Sequence, residues 1–206
     1  MGERKLRYVD GNMIEYEIYD LISDKDPILH QPCAEYDFSN LPINPSFLSL
    51  SLSETLGAKG GIGLAAPQCG IPYRVVSIAL VEGNNGEKSW DVITLFNPII
   101  VDRSEKMVTE NEGCLSFPDL MIEKERHDEI EVEYQNTKGQ KIRGRFVGID
   151  ARCLQHEIDH LDGICFTDGL SPLKLQMAKK KAEKRNAKID KLKKATLKRL
   201  LSQIKQ

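Results

Sequence analysis

The alternation of apolar and polar positions divides the chain into helical and extended stretches. Residues 45–59 read as a helix, with Pro45 at a first helical position and Gly60-Gly61 as its stop. Phe47, Leu48, Leu50, Leu52 and Leu56 supply its expected buried stripe, although a run of serines interrupts it. Extended, β-branched runs predict strands at 73–81 and 92–101, joined by a turn at Asn84-Asn85-Gly86. Further strands are predicted at 121–125, 129–135 and 141–147, the last two joined by Thr137-Lys138-Gly139. Residues 1–26 are polar and mixed, with a short strand expected around 14–22, and prolines 32, 42 and 45 punctuate an irregular segment after it. Pro118 is expected to halt pairing around residues 112–118. A helix is predicted from about 149 to Asp162-Gly163, and a long one beyond Ser171-Pro172. The pattern gives an α+β fold: antiparallel strands around one buried helix, with flanking helices.

With 206 residues, 40% of them hydrophobic and 29% charged, the chain has the make-up of a soluble globular protein. No stretch has the 18 or so apolar residues of a membrane span, so no membrane partner is expected. Five cysteines in no framework, and an N-terminus without an apolar signal core, predict reduced thiols in a cytoplasm. The net charge of −2 conceals an asymmetry, because residues 173–206 hold 13 Lys+Arg against 2 Asp+Glu while the rest holds 16 against 29. The chain is therefore divided into a body, residues 1–172, and a basic C-terminal helix, residues 173–206. Leu173, Met177 and Ala182 are expected to dock that helix.

Chemistry concentrates at Gln155-His156-Glu157-Ile158-Asp159-His160. On a helix, His156 and His160 project from one face roughly 6 Å apart along the axis. They can grip one metal ion while Glu157 reaches a metal-bound water. The bland alternative is a surface helix that carries two histidines. A third ligand is needed with one position left open. Cys153 lies on the same face, but it is roughly 10.5 Å along the axis from His160, too far for bonds of about 2 Å. It is read as pocket wall or core. Cys114, in a glycine-containing turn, is the better candidate. Cys33, Cys69 and Cys165 are read as structural, and His30 and His127 stand alone. A Cys114, His156, His160 set with Glu157 as proton carrier is a mononuclear hydrolase site for an amide or ester. The Leu115 N–H and the Gln68 amide are candidate donors to its oxyanion. The small-residue stretch Gly61–Gln68 is neither a phosphate loop nor a dinucleotide fingerprint. A zincin-like peptidase and a metal-structured RNA-binding module remain as alternatives.

Three segments in order, G-I-G-L-A-A-P-Q (61–68), E-G-C-L-S (112–116) and Q-H-E-I-D-H (155–160), resemble the signature motifs of the peptide deformylases. The resemblance covers roughly residues 24–170. It implies removal of the formyl group from the formyl-methionine of nascent peptides. Cys114, His156 and His160 then look like metal ligands, Glu157 like the general acid/base, and Gln68 with Leu115 like the oxyanion donors. Gly61, Ile62 and Gly63 resemble an edge that pairs with substrate backbone, with Glu112 and Gly113 also on the substrate side. Ile62, Ile149 and Cys153 are expected to wall the methionine pocket. The resemblance implies Fe²⁺, with Zn²⁺ or Ni²⁺ as substitutes, and a monomer. Two features depart from it. Met121 stands where some relatives carry a basic residue, and the tail is longer and more basic than many relatives have. Arg126 is expected to pair with Asp159, and the tail to contact ribosomal RNA through its cations.

Overall fold

The structure, a computed structural model, describes residues 4–9, 11–81 and 91–204. A hairpin comes first, β1 (Lys5–Val9) against β2 (Asn12–Tyr16). The short strand expected around 14–22 is thus replaced by this earlier pair. Helix α1 (Pro45–Lys59) follows, and the Asn44 side chain caps it by accepting from Ser46 and Phe47 N–H. Gly60, at φ 70°, ends it in the left-handed conformation. Its buried face differs from the expected stripe. Leu48, Leu52 and Leu56 are buried with Ser51 and Thr55, while Phe47 and Leu50 are only half-buried. The two hydroxyls face inward because they accept the N–H groups of Glu17 and Tyr19, which would otherwise lack partners beside the helix.

The main sheet has the order β3-β4-β5-β8-β9, and all its pairings are antiparallel. Its strands are β3 (Gly63–Ala65), β4 (Val75–Ala79), β5 (Val92–Arg103), β8 (Glu129–Gln135) and β9 (Lys141–Val147). The turn expected at residues 84–86 lies outside the described residues. All of β4 is buried, because helices cover both of its faces. On β8, by contrast, Ile130 and Val132 face the core while Glu129 and Glu131 pair with Arg145 and Arg143 across β9. A separate hairpin joins β6 (Met107–Cys114) to β7 (Phe117–His127). Its β6 strand is absent from the sequence expectation, and Pro118 lies inside β7 rather than halting it. β7 pairs only with β6, so one edge has no ladder and tolerates a proline.

Helix α2 (Gly148–Leu161) packs between the sheet and the β6–β7 hairpin. Of its 14 residues only Gly148, Ile149 and Asp159 escape full burial. Ala151, Leu154, Ile158 and Leu161 join the sheet core. Its C-terminal end is tied down where Cys33 N–H donates to Leu161 O at 2.8 Å. Helix α3 (Pro172–Ile204) leaves the body after packing on β7. It docks through Leu175, Ala178 and Ala182, not through Leu173 and Met177, which are 65% and 63% exposed. Small alanines at helical spacing let the backbones approach, and that turns the larger side chains outward.

Gly163, at φ 73°, ends the α2 connection with the Gln31 backbone 2.7 Å from where a Cβ would sit. Gly169 has a similar φ of 77° and open space around it. Alanine at 169 is therefore expected to cost about 1 kcal/mol, the left-handed penalty alone. At 163 the backbone clash should raise the cost by a further ~1–3 kcal/mol. Urea unfolding of the two variants checks this, and equal losses would remove the close approach as a constraint.

Candidate metal centre

One turn of α2 separates His156 from His160 and sets their rings 5.1 Å apart, nearly perpendicular at 80°. Cys114 ends β6, where the chain reverses tightly through Leu115 and Ser116 into β7. The reversal brings its Sγ to 3.3 Å from His160 Nε2. Ligand atoms of Cys114, His156 and His160 all lie within 4.8 Å of one another. Metal–sulfur bonds of about 2.3 Å and metal–nitrogen bonds of about 2.0 Å at a tetrahedral angle would separate sulfur from nitrogen by roughly 3.5 Å. The residues therefore fit a shared divalent cation without rearrangement. Among the described residues two buried polar side-chain atoms lack a hydrogen-bond partner, Glu157 Oε2 and His160 Nδ1, and both belong to this cluster.

Neighbouring groups fix each member. Ala65 N–H donates to Gln68 Oε1 at 2.8 Å, which aims the amide nitrogen the other way. Gln68 Nε2 then lies 3.1 Å from Ser116 Oγ and 3.5 Å from Cys114 Sγ. A Cβ on Gly63 would sit 2.4 Å from Glu157 Oε1 and 2.5 Å from Cys153 Sγ, so only glycine lets β3 pass this close to the helix. Cys153 is buried beside the cluster, as expected, and is no ligand of it. Cys33 and Cys165 are buried elsewhere, Cys69 is half-buried, and His127 Nδ1 lies 2.7 Å from Ser104 O.

Beneath the cluster lies a buried ionic network. The Glu112 carboxylate accepts from Arg126 Nε and Nη2 at 2.9 and 3.0 Å, and from Arg152 Nη1 at 2.7 Å. Its Oε2 also lies 3.1 Å from His156 Nδ1, which leaves His156 Nε2 for a ligand. Arg126 reaches Asp159 at 2.6 Å, so the expected pair is present as one arm of a larger assembly. The substrate-side expectation for Glu112 is therefore revised: it borders the cavity, but both of its oxygens are committed to the arginines and to His156. Arg152 was not anticipated. Its signal was available, since a cation one turn before His156 on a buried helix needs a carboxylate.

The electrostatics follow from burial. Burial raises Glu157 to about 7, against the opposing pull of His156. Burial pushes Glu112 up too, but hydrogen bonds from His156 and Arg126 outweigh it and hold the carboxyl at about 2. His156 and His160 divide. Burial disfavours charge on both, yet hydrogen bonds to Cys114 and Glu112 raise His156 to about 10, while burial and the neighbouring His156 lower His160 to about 3.

A cavity of about 650 Å³ opens over the cluster. Gly61, Ile62, Gly63, Gly113, Ile149 and Cys153, the expected substrate and pocket residues, all line it, as do Gln68, Cys114, Leu115, His156 and Glu157. His160 is fully buried behind them. β3 is the terminal strand of the sheet, so its outer edge is unpaired there. Leu21, Phe117 and Leu120 add apolar lining that the sequence reading missed, because no motif singles these residues out.

A cysteine sulfur and two imidazoles that could share one metal ion, with a buried carboxylate alongside, are the groups of a mononuclear metal hydrolase of the amide- or ester-cleaving kind. The chain belongs to the polypeptide deformylase family, whose model matches residues 18–176. A peptide deformylase of Rhizorhabdus wittichii is 43% identical over 139 residues, covering 66% of this chain and 78% of that one. Among solved structures, the peptide deformylase of Ehrlichia chaffeensis superposes with a TM-score of 0.69 at 32% identity, over 84% of this chain and 98% of that one. The Met-Ala-Ser-bound class I type b enzyme of Acinetobacter baumannii does so at 0.67 and 29% identity, over 74% and 98%. The chain is an enzyme that removes the formyl group from nascent peptides and uses a divalent metal. The expected fold, helices with antiparallel sheets and a long C-terminal helix, is the one observed, and these deformylase structures match 84% and 74% of the chain.

Arg126→Ala strips Glu112 of two hydrogen bonds and leaves Asp159 without its partner. A loss of about 3–5 kcal/mol is expected from an uncompensated buried carboxylate. Asp159→Asn, at a side chain 27% exposed, should cost about 1 kcal/mol or less. Thermal and urea unfolding check the ranking, and an Arg126→Ala loss no larger than that of Asp159→Asn would show that the network is not integral.

Proposed function

We propose that Cys114, His156 and His160 hold the divalent cation of the deformylase reaction, and that Glu157 carries the proton. The observation behind this is the convergence of Cys114 Sγ on His160 Nε2 at 3.3 Å beside a buried Glu157 oxygen with no partner. The cation, when bound, polarises a water and the formyl carbonyl. Glu157, lifted towards neutrality by burial, takes the proton of the attacking water and delivers it to the departing amine. The Gln68 amide and the Leu115 N–H steady the oxygen of the tetrahedral species. Glu112 holds His156 in the tautomer that presents Nε2. The outer edge of residues 61–63 pairs with substrate main chain, which reads no side chain beyond the first. Ile62, Ile149 and Cys153 wall the methionine pocket. The Acinetobacter baumannii enzyme solved with Met-Ala-Ser supports a peptide in this cavity.

Fe²⁺ is the proposed metal, with Zn²⁺ or Ni²⁺ as substitutes, since a mixed sulfur and imidazole set suits all three. A monomer is proposed because one chain supplies every group of the site. A cytoplasmic setting is proposed from five free cysteines. After anaerobic loading with Fe²⁺ or Ni²⁺, the protein should turn over formyl-Met-peptide and spare acetyl-Met-peptide. Glu157→Ala should lower that turnover by about 10²–10⁴-fold and keep the metal content. Loss of metal together with activity would assign Glu157 to coordination and sink the proton-carrier role.

We also propose that residues 1–172 form the catalytic unit and residues 173–206 a basic appendage that binds ribosomal RNA. Every ligand candidate precedes residue 172, and α3 extends for 33 residues, roughly 50 Å. Chains truncated after residue 190 are expected to bind ribosomes more weakly, with a shallower salt dependence, and to keep turnover on a short formyl peptide. Sedimentation with ribosomes across a salt series checks this, and equal affinity with and without the segment would remove the proposal.

A further inference from the structure

A second groove lies between β7 and α3, beside the catalytic cavity. It encloses about 360 Å³ and shares Asp119 and Met121 with the cavity wall. Its lining is apolar at Met121, Ala178 and Ala182 and cationic at Lys181, Lys184, Arg185 and Lys188. Arg185 is anchored, donating to the backbone oxygen of Asp119, and so ties α3 to the strand that borders the cavity. Among the described residues no carboxylate forms an ion pair with Lys181, Lys184 or Lys188. The groove therefore offers an apolar surface beside three lysines without an ion pair among the described residues, with Asp119 as the acidic member of a lining that holds four cations.

We infer that this groove takes the downstream part of the nascent peptide and favours acidic residues there. The inference rests on the deformylase reading, which places the formyl-methionine in the adjoining cavity. Two features set the peptide apart from a generic anion. The first is adjacency: Asp119 and Met121 line both the catalytic cavity and the groove, so a chain whose first residue sits over Cys114 and His156 has the groove next along the wall at Met121. The second is the mixed lining, since methyl groups beside ammonium groups suit an extended chain carrying side chains of both kinds. Main-chain pairing along residues 61–63 is indifferent to sequence. The groove supplies a sequence preference that this pairing lacks. Cations at its rim interact with substrate equally before and during the reaction, so their effect belongs in KM and not in kcat.

The test uses the metal-loaded full chain and formyl-Met-polyalanine peptides in which one aspartate, or one lysine, is walked residue by residue along the chain. The neutral parent peptide is the control for the reading beneath: if it is not deformylated, the deformylase assignment fails and the groove is not in question. Given turnover of the parent, aspartate at the positions that overlie the groove is expected to raise kcat/KM by about two- to fivefold through KM, and lysine there to lower it similarly. Aspartate next to the methionine should have no such effect. High salt should erase the difference, because the charges are exposed. Lys181→Glu/Lys188→Glu, which leaves the Arg185 anchor in place, is expected to invert the preference, and Lys184→Glu to diminish it. A flat profile along the walk, or a preference unchanged in the charge-reversed variants, overturns the proposal. If those variants instead lose binding of a short oligoribonucleotide with the peptide profile intact, the groove is a nucleic-acid surface and the proposal falls.

Discussion

The grip of the Glu112 carboxylate on Arg126, Arg152 and His156 is the interaction around which this molecule is arranged. It joins three elements at one point: β6 supplies the acid, β7 one arginine, and α2 the other arginine and the histidine. Helix α2 is buried on nearly every side although Asp150, Arg152, Gln155, His156, Glu157 and His160 all lie on it. Polar groups taken out of water cost several kcal/mol each unless they are matched. Asp150 accepts from Val81 N–H, and Gln155 clasps the N–H and carbonyl of His127. The arginines meet Glu112. The helix is polar where function needs it to be, and the hairpin is shaped to satisfy it. An apolar replacement of the whole network would be no less stable by this reasoning, but it would leave the His156 ring without a fixed tautomer.

The matching of polar groups stops at the Cys114, His156, His160 cluster. Nearly every buried side-chain polar atom described has a partner, and the two that lack one, Glu157 Oε2 and His160 Nδ1, belong to one cluster. A fold that matches its polar groups elsewhere keeps such atoms only where they serve another purpose. Gly63 carries a related constraint. Its missing Cβ gives Glu157 room beside β3, where the Cβ of any other residue would collide with the carboxylate. Rigid neighbours on both sides are what keep a catalytic carboxylate within reach of a reacting bond.

Much of the site was legible because its spacing is local. His156, Glu157 and His160 fall within a single helical turn or so, and helical geometry fixes their relation without knowledge of the rest. Cys114 was reachable by elimination, since the distance along α2 disqualified Cys153. Helix α1 was predicted to the residue because Pro45 and Gly60 punctuate it. What stayed hidden was non-local. Strand β6 reads as Met-Val-Thr-Glu-Asn-Glu-Gly-Cys, mostly polar, and is a strand only because β7 pairs with it and leaves most of it half-open to solvent. The Glu112 network joins residues 40 and 44 positions apart, and no periodicity reports that. The face of α1 was misjudged because Ser51 and Thr55 are inward for the sake of backbone groups near Tyr19, a contact that hydrophobic patterning does not encode.

The charge asymmetry between body and tail has a structural resolution in the way α3 docks. A segment with 13 cations among the chain's last 34 residues cannot bury a wide face without desolvating some of them. It buries a narrow one, with Leu175 and Ala178 against Leu120, Ile122 and Phe166 and a half-buried Ala182 beyond them. Alanine permits close contact at little side-chain entropy cost, and the flanking lysines keep their heads in water. Arg185 meets a backbone oxygen of β7, and among the described residues no ion pair joins α3 to a carboxylate of the body, so docking leaves the positive charge unpaired. The helix thus arrives beside the catalytic cavity with its electrostatic character intact. Docking through carboxylate partners would have offset that charge at the margin of the cavity.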